Sequence, residues 1–370
     1  MGKPKTVLFL SNHFITLYAF RRELIERLLS LGHRVVLSLP ADEQNAFFRD
    51  LGCEIVETPM SRRGLNPAED LLLLARYRRI MRRIQPDIIF SYTSKPDIYG
   101  SLASTALGFR QVCNITGRGS ALARDDALAG VLRALYRVSI RYCYKVFFQN
   151  ADDRDYFMRH RIVRGNWALI PGSGVNLEQH ALTPMPDDGE IRFLYVGRIL
   201  DVKGIEQYLD CARAIRRKHP ETRFYIAGFI EQERYRPLLE EYRAAGDIEY
   251  LGFQKEIDPW FRRCHCTVLP SLGGEGVPNA VLEAMATGRA CIVSNVPGSR
   301  DAVEDGVTGY VFEPGDSDGL IDRAERFLAL SGEERARMGL AGHEKAAREF
   351  DRELVIRAYL NELDAVPAKE

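Results

Sequence analysis

Two glutamates stand eight residues apart in Glu275-Gly-Val-Pro-Asn-Ala-Val-Leu-Glu283. Pro278, between them, suits the first turn of a helix, where its missing N–H is no loss. Glu275 is then expected in the loop ahead of that helix and Glu283 about a turn and a half inside it. At a rise of ~1.5 Å per residue, the carboxylates come out on the order of 10 Å apart. The free N–H groups of a helix N-terminus lie between them and attract anions. Carboxylates accept hydrogen bonds from hydroxyls, so the pattern describes an anion flanked by two hydroxyl-bearing groups. A sugar nucleotide has that form: sugar at one end, ribose at the other, diphosphate between.

Two cations precede this pair. Arg198 and Lys203 follow the strand-like run 191–197 and stand just ahead of a helical pattern. Arginine offers a forked donor to phosphate and lysine a point charge. Together they can neutralise a leaving diphosphate without a metal ion.

The elements that must hold these residues alternate along the chain. Strand-like runs lie at 6–11, 33–40, 53–59, 86–92, 112–116, 145–150 and from 167, with helical patterns at 21–31, 71–84 and 127–142. A polar, proline-containing stretch follows at 172–190. The pattern then restarts with strands at 191–197, 222–228, 248–253, 266–271, 290–295 and 309–314, and helices at 204–219, 235–245, 278–287 and from about 319. Such alternation implies α/β architecture: two doubly wound, Rossmann-like domains facing across a cleft. The expected domains are 1–175, 176–350 and a C-terminal helix, 351–370, returning to the first. Ligands of such sheets bind at the carboxyl ends of the strands, here between the domains.

At 370 residues, the chain can bury two sizeable cores. Hydrophobic residues at 46% and charged residues at 28% place it among soluble globular proteins. No run approaches the ~20 apolar residues of a membrane span, and no signal peptide is visible, so a cytoplasmic location is expected. Net charge is zero, yet residues 1–175 hold 26 Lys/Arg against 16 Asp/Glu, and the rest carries an equal acidic excess. The first half therefore suits an anionic partner, either a phosphate-bearing membrane surface or nucleic acid. Seven cysteines, an odd number with no CxxC pair, read as reduced core thiols. Cys264-His265-Cys266 lacks a second cluster to complete a metal site, and no metal or other cofactor is expected.

The segments VGRILDVKGI and LPSLGGEGVPNAVLEAMATGRACIVSNVPGSRDAVEDGVTGYVFEPGD carry a resemblance. From about 190 to 350 the chain resembles the donor domain of retaining GT-B glycosyltransferases of family 4. SYTSKPDIYGSLAS, CNITGRG and VFFQNADDRDYF are similar to the branch serving bacterial capsule, O-antigen and N-glycan assembly, which includes N-acetylgalactosaminyl transfer to undecaprenyl-diphosphate-linked bacillosamine. The resemblance implies that Arg198 and Lys203 hold the donor diphosphate beside Gly197. It implies that Glu275 accepts from donor-sugar hydroxyls and that Glu283 binds the ribose. Backbone amides of Gly276, Val277, Pro278, Asn279 and Ala280 would line sugar and phosphate, Pro278 having no N–H of its own. The loop holding Gly252, Gln254 and Ile257 would cup the nucleobase. Glu275, Arg198 and Lys203 form the implied catalytic set. The donor would be a UDP-sugar, an N-acetylhexosamine or a hexose, serving as co-substrate. The acceptor would be a polyprenyl-diphosphate-linked sugar.

The chain also departs from the family pattern. Many relatives have a glycine-rich loop after the first strand, where this chain reads SNHFITLYAF. His13 can substitute there as a polar contact or a base. Gly273-Gly274 lengthens the loop before Glu275. On the acceptor side, Thr116, Gly117, Arg118 and Gly119 suit a turn against substrate, and Lys95 suits the acceptor phosphate. The arginine-rich strips at 71–83 and 136–145 fit contact with the cytoplasmic membrane surface. Nucleic acid fits worse, because these motifs leave no separate binding module. Asp153-Arg154-Asp155 and Asp316-Ser317-Asp318 read as helix caps rather than metal sites. The rival readings are a sugar-nucleotide epimerase or hydrolase, and a non-catalytic nucleotide-sugar scaffold.

Overall fold

The computed structural model describes residues 3–61, 66–119, 122 and 126–367. The chain divides into two units, Met1–Ser173 with Val355–Glu370, and Gly174–Leu354. The first holds a seven-stranded sheet of β1 (Thr6–Leu10), β2 (Arg34–Leu39), β3 (Glu54–Glu57), β4 (Ile88–Tyr92), β5 (Gln111–Ile115), β6 (Lys145–Phe148) and β7 (Trp167–Leu169). Its order is β3-β2-β1-β4-β5-β6-β7, with every pair parallel. The second holds β8 (Arg192–Val196), β9 (Arg223–Ala227), β10 (Glu249–Gly252), β11 (Cys266–Leu269), β12 (Ala290–Ser294) and β13 (Gly309–Phe312). Its order is β10-β9-β8-β11-β12-β13, again all parallel.

Parallel sheets are covered on both faces, which is why these strands read as unbroken apolar runs. Val7, Leu8, Phe9 and Leu10 are all fully buried. In the first unit, strands β1 to β3 step one way across the sheet and β3 to β6 step the other. Right-handed crossovers therefore place their helices on opposite faces. The core divides the same way. The helix Phe14–Ser30 shares a cluster with Val355, Ile356 and Tyr359 of the C-terminal helix Arg352–Asp364. The helices Pro67–Ile84, Ser94–Leu107 and Ala127–Ser139 fill two further clusters on the other side.

The first helix begins at Phe14, seven residues ahead of expectation. Its apolar stripe extends upstream through Leu17 to Phe14, and the Nδ1 of His13 accepts the Ile15 N–H at 3.1 Å to close its end. Histidine is not among the residues that usually signal such a cap. Tyr359 anchors the chain's return to the first unit, where its hydroxyl donates to Asn114 Oδ1 and accepts from Arg21 Nε at 3.1 Å. All seven cysteines are free and buried.

In each sheet the strand order reverses once, between β1 and β4 and between β8 and β11. A crevice opens at the carboxyl ends of strands where their crossovers diverge. In the second unit, the loops after β8 and β11 carry Arg198, Lys203 and Glu275.

Candidate functional site

Beyond β8, the chain passes Gly197 and Arg198, makes a short 3-10 turn at Asp201–Lys203, and enters the helix Ile205–Lys218 at Gly204. Gly204 has φ of 67°, and a Cβ there would lie 1.8 Å from the Pro270 carbonyl oxygen in the loop after β11. Glycine alone permits the two loops to lie this close. The Leu272 N–H donates to Val202 O at 2.9 Å and ties them together.

This stitching brings the Lys203 ammonium onto the Glu275 carboxylate, to which it donates a hydrogen bond. Each side chain is 15% exposed. Ser271 Oγ donates to the same carboxylate oxygen at 2.9 Å, and Ser294, at the end of β12, holds the Ser271 carbonyl. Neither serine announces itself in the sequence. Arg198 is drawn aside instead: its Nη1 donates to Glu231 Oε2 at 2.6 Å, from the loop after β9.

The helix behind Glu275 spans Asn279–Ala286, one residue later than expected. Pro278 has helical φ, at −75°, but an extended ψ of 119°, so it stands just outside the first turn. Its carbonyl accepts from Val281 and Leu282 at 3.1 and 3.3 Å. No side chain caps this end, and Asn279 Nδ2 is buried without a hydrogen-bond partner among the described residues. Gly276, Val277 and Pro278 are buried, whereas Ala280 is half-buried. Gly298, with φ of 80°, packs so closely that a Cβ would lie 1.6 Å from Gly276 O. Asp301 accepts the Gly298 N–H at 3.1 Å and fixes that contact.

Glu283 lies half-buried in this helix, and among the described residues its carboxylate makes no hydrogen bond. Burial pushes its carboxyl above the ordinary glutamate value, while His180 and Arg352 pull it back. His180 is itself buried, with Nδ1 3.1 Å from Asp258 Oδ1. Asp258 directly follows the loop of Gly252, Gln254 and Ile257. In that loop Gln254 spends its amide locally, donating to Leu251 O at 2.6 Å and accepting from Trp260 Nε1 at 3.3 Å. Ile257 packs on the core and Phe253 projects, 67% exposed.

The remaining candidates belong to the first unit. His13 accepts on Nδ1 in its capping role, which places the ring proton on Nε2. Lys95 Nζ pairs with Asp70 Oδ1 at 2.7 Å, and Tyr99 donates to the other oxygen at 2.8 Å. Lys95, Asp70 and Arg76 line a cavity of about 340 Å³. Thr116 is exposed, and Gly117 and Gly119 turn with φ of 124° and 64°. Arg118 Nε donates to Asp153 Oδ1 at 2.7 Å, and its guanidinium lies 5.0 Å from the Tyr156 ring centroid.

Asp153 therefore is not the expected helix cap. Asn150 caps that helix, and Asp153 is fully buried in its first turn as the partner of Arg118. Burial raises its carboxyl, with Arg118 opposing. Asp316 does cap its helix, accepting from Gly319 N at 2.9 Å. In Cys264-His265-Cys266, the cysteines pack into separate core clusters. The His265 ring nitrogens meet Arg192 N and Pro186 O.

Residues 184–345 match the family model of glycosyl transferases group 1, and residues 19–172 match that of the glycosyl transferase 4-like domain. The chain is 25% identical to the N,N'-diacetylbacillosaminyl-diphospho-undecaprenol alpha-1,3-N-acetylgalactosaminyltransferase of Campylobacter jejuni, over 97% of this chain and 98% of that one. It is 24% identical to the UDP-Gal:alpha-D-GlcNAc-diphosphoundecaprenol alpha-1,3-galactosyltransferase of Escherichia coli, over 71% and 72%. Among solved structures, a glycosyltransferase from Rickettsia africae superposes with a TM-score of 0.81 at 16% identity, covering 99% of both chains. Anabaena HepE in complex with UDP and glucose gives 0.79 at 16%, covering 98% of this chain and 100% of its own. WaaG, a glycosyltransferase involved in lipopolysaccharide biosynthesis, gives 0.77 at 14%, with the same coverage.

Proposed function

The chain is a GT-B glycosyltransferase, a glycosyl transferase 4-like domain followed by a group 1 glycosyl transferase domain, and from that premise we propose that it moves a sugar from a UDP-sugar to a polyprenyl-diphosphate-linked saccharide. The donor sugar is an N-acetylhexosamine or a hexose, and the anomeric configuration is retained. The reaction belongs to the assembly of a bacterial glycan, whether N-glycan, capsule or O-antigen. The two relatives with undecaprenyl-diphosphate acceptors in their names support the acceptor class. The enzyme works as a peripheral protein on the cytoplasmic face of the membrane. Among the described residues no helix is long and apolar enough to cross one.

The observation that carries this reading is the Lys203–Glu275 bond. It joins a cation and a carboxylate from the two loops flanking the switch point, directly ahead of an uncapped helix N-terminus. With donor bound, Lys203 and Arg198 turn to the diphosphate and Glu275 takes sugar hydroxyls. Glu283 takes the ribose. The acceptor hydroxyl oxygen bonds to the anomeric carbon on the face the nucleotide leaves. The bond from that carbon to the phosphate oxygen breaks, and its electron pair stays with the diphosphate. The acceptor proton passes to the departing phosphate. Stabilising that leaving charge is the main catalytic term, and no separate base is required.

The test is a donor screen, read by released nucleoside diphosphate, with UDP- and GDP-sugars each supplied with and without an undecaprenyl-diphosphate-sugar. Release from one donor that depends on acceptor is expected. Release without acceptor would favour an epimerase or hydrolase. Donor binding without release, across all acceptors, would favour a scaffold.

A further inference from the structure

The loop that carries Glu275 is firm at its start and loose before its end. Ser271 is fully buried, and its carbonyl accepts from Ser294 Oγ, so the backbone there is tied to the last residue of β12. Leu272 is tied in turn to Val202 O at 2.9 Å. Gly273 and Gly274 follow, with φ of 142° and 77°. Both lie in the left-handed half of backbone space, where glycine is least restricted. A Cβ at Gly273 would meet no atom within 4 Å, so no neighbour packs against the chain at that point. Glu275 comes directly after this pair.

Two side chains reach the Glu275 carboxylate, and both reach the same atom. Lys203 Nζ and Ser271 Oγ donate to Oε1, Ser271 at 2.9 Å. Among the described residues no group donates to Oε2. A carboxylate oxygen offers two lone-pair sites. Those of Oε1 are taken by the protein and those of Oε2 are left over. The two donors also differ in reach. Lys203 carries its charge on a flexible four-carbon stem, and it is the group that turns to the diphosphate in the reaction proposed above. Ser271 has one short arm on a backbone fixed to β12 and cannot follow.

We propose that Ser271 is the positioning residue for the donor sugar. It keeps hold of Glu275 by Oε1 after Lys203 has turned away, and Oε2 is the oxygen that meets the sugar hydroxyl. The serine hydroxyl thereby offsets the freedom that two successive glycines give the loop. Ser271 acts through Glu275 and makes no contact with the donor itself. The inference deepens the donor-site reading and rests on it for the role of Glu275.

The experiment compares the full-length wild type with Ser271→Ala, Glu275→Ala and the double variant. Calorimetry gives the affinities for UDP and for the UDP-sugar chosen by the donor screen, and transfer kinetics are measured beside them. Ser271→Ala should lower kcat/KM for the donor roughly 10-fold or more, as expected for losing one hydrogen bond to a charged group. It should weaken UDP-sugar binding while leaving UDP, which has no sugar, bound as in wild type. Adding Ser271→Ala to Glu275→Ala should weaken UDP-sugar binding little further, because the two residues act as one unit. Ser271→Cys, a near match in shape with a weaker donor, should fall between wild type and Ser271→Ala. Unchanged kcat/KM in Ser271→Ala would overturn the proposal. So would equal losses for UDP and the UDP-sugar, since Ser271 would then serve the loop alone, or full additivity of the two alanine substitutions. Full activity in Glu275→Ala would instead remove the donor-site reading, and the inference with it.

Discussion

Lys203 and Glu275 hold each other across the loops that follow β8 and β11. The ammonium of one is the hydrogen-bond donor to the carboxylate of the other, and Ser271 supplies a second donor to that carboxylate. Each therefore has a partner before any ligand arrives, which keeps two partly buried charges from standing uncompensated. A diphosphate must compete with Glu275 for Lys203, and sugar hydroxyls must compete with Lys203 for Glu275. Arg198 stands the same way towards Glu231. On the proposed reading, donor binding would exchange both of these ion pairs for contacts with the diphosphate and the sugar.

Replacing Lys203 by Ala should cost transfer on the order of 10²- to 10³-fold, the range seen when one donor to a developing charge is removed. Glu275→Ala should cost at least as much, because it removes the sugar contact and frees Lys203 from its site. Acceptor-dependent release of nucleoside diphosphate is the measurement, alongside circular dichroism to show a folded chain. Full activity in either variant would sink the assignment.

Glu283 should act on binding more than on chemistry. A carboxylate with no protein hydrogen bond among the described residues is open to ribose hydroxyls, and such bonds to a charged group are worth about 1.5–3 kcal/mol. Glu283→Gln should raise the donor KM roughly 10- to 100-fold, with kcat changed less. Burial raises the carboxyl's pKa, so the ionised acceptor is present above that raised value and is lost as pH falls through it. The wild-type KM should therefore climb on acidification at higher pH than an ordinary glutamate would allow, approaching that of the Gln variant. A donor KM with the same pH profile in both proteins would refute the role.

Arg118 is held by Asp153 and lies against the Tyr156 ring, and on the proposed reading it serves the acceptor. Asp153→Asn keeps the shape but removes the charge that aligns the guanidinium. It should raise the acceptor KM several-fold while leaving the donor KM unchanged. Arg118→Lys, which cannot reproduce the fork, should do the same more strongly. If both variants move donor and acceptor KM together, Arg118 is serving the fold rather than the acceptor.

How far the sequence was legible follows from the range of each interaction. The strand runs could be read because parallel strands are apolar along their whole length, as residues 7–10 are. Glu275, Glu283 and Pro278 could be read because one loop and one helix turn hold them. Glu231 and Asp153 could not. They lie 33 and 35 residues from the arginines they orient, and only the sheet order brings them there. Ser271 and Ser294 are ordinary residues whose role is a contact between two strand ends. The start of the first helix was missed for a local reason, a histidine in the capping position. The place of Asp153 in the chain suggests a cap, whereas Asn150, three residues earlier, fills that role.

One stability prediction concerns His265, at the opposite end of β11 from Glu275. It is 2% exposed, and burial brings its pKa down to about 4, against the partial offset of its bond to Pro186 O. In the unfolded chain the ring titrates near 6.5. Stability from the neutral ring is therefore fully present above about 6.5 and is lost as pH falls towards 4, because the unfolded state takes up the proton first. Between pH 7.5 and 5 the loss from this group is roughly 2 kcal/mol. Carboxyls raised by burial, such as those of Asp153 and Glu283, change stability in the opposite sense over part of this range. The comparison must therefore be made against a variant rather than read from wild type alone. His265→Gln should have a lower urea midpoint than wild type at pH 7.5, yet lose less of it on acidification to pH 5. Parallel midpoint-against-pH curves for the two proteins would show that His265 is not the group that titrates.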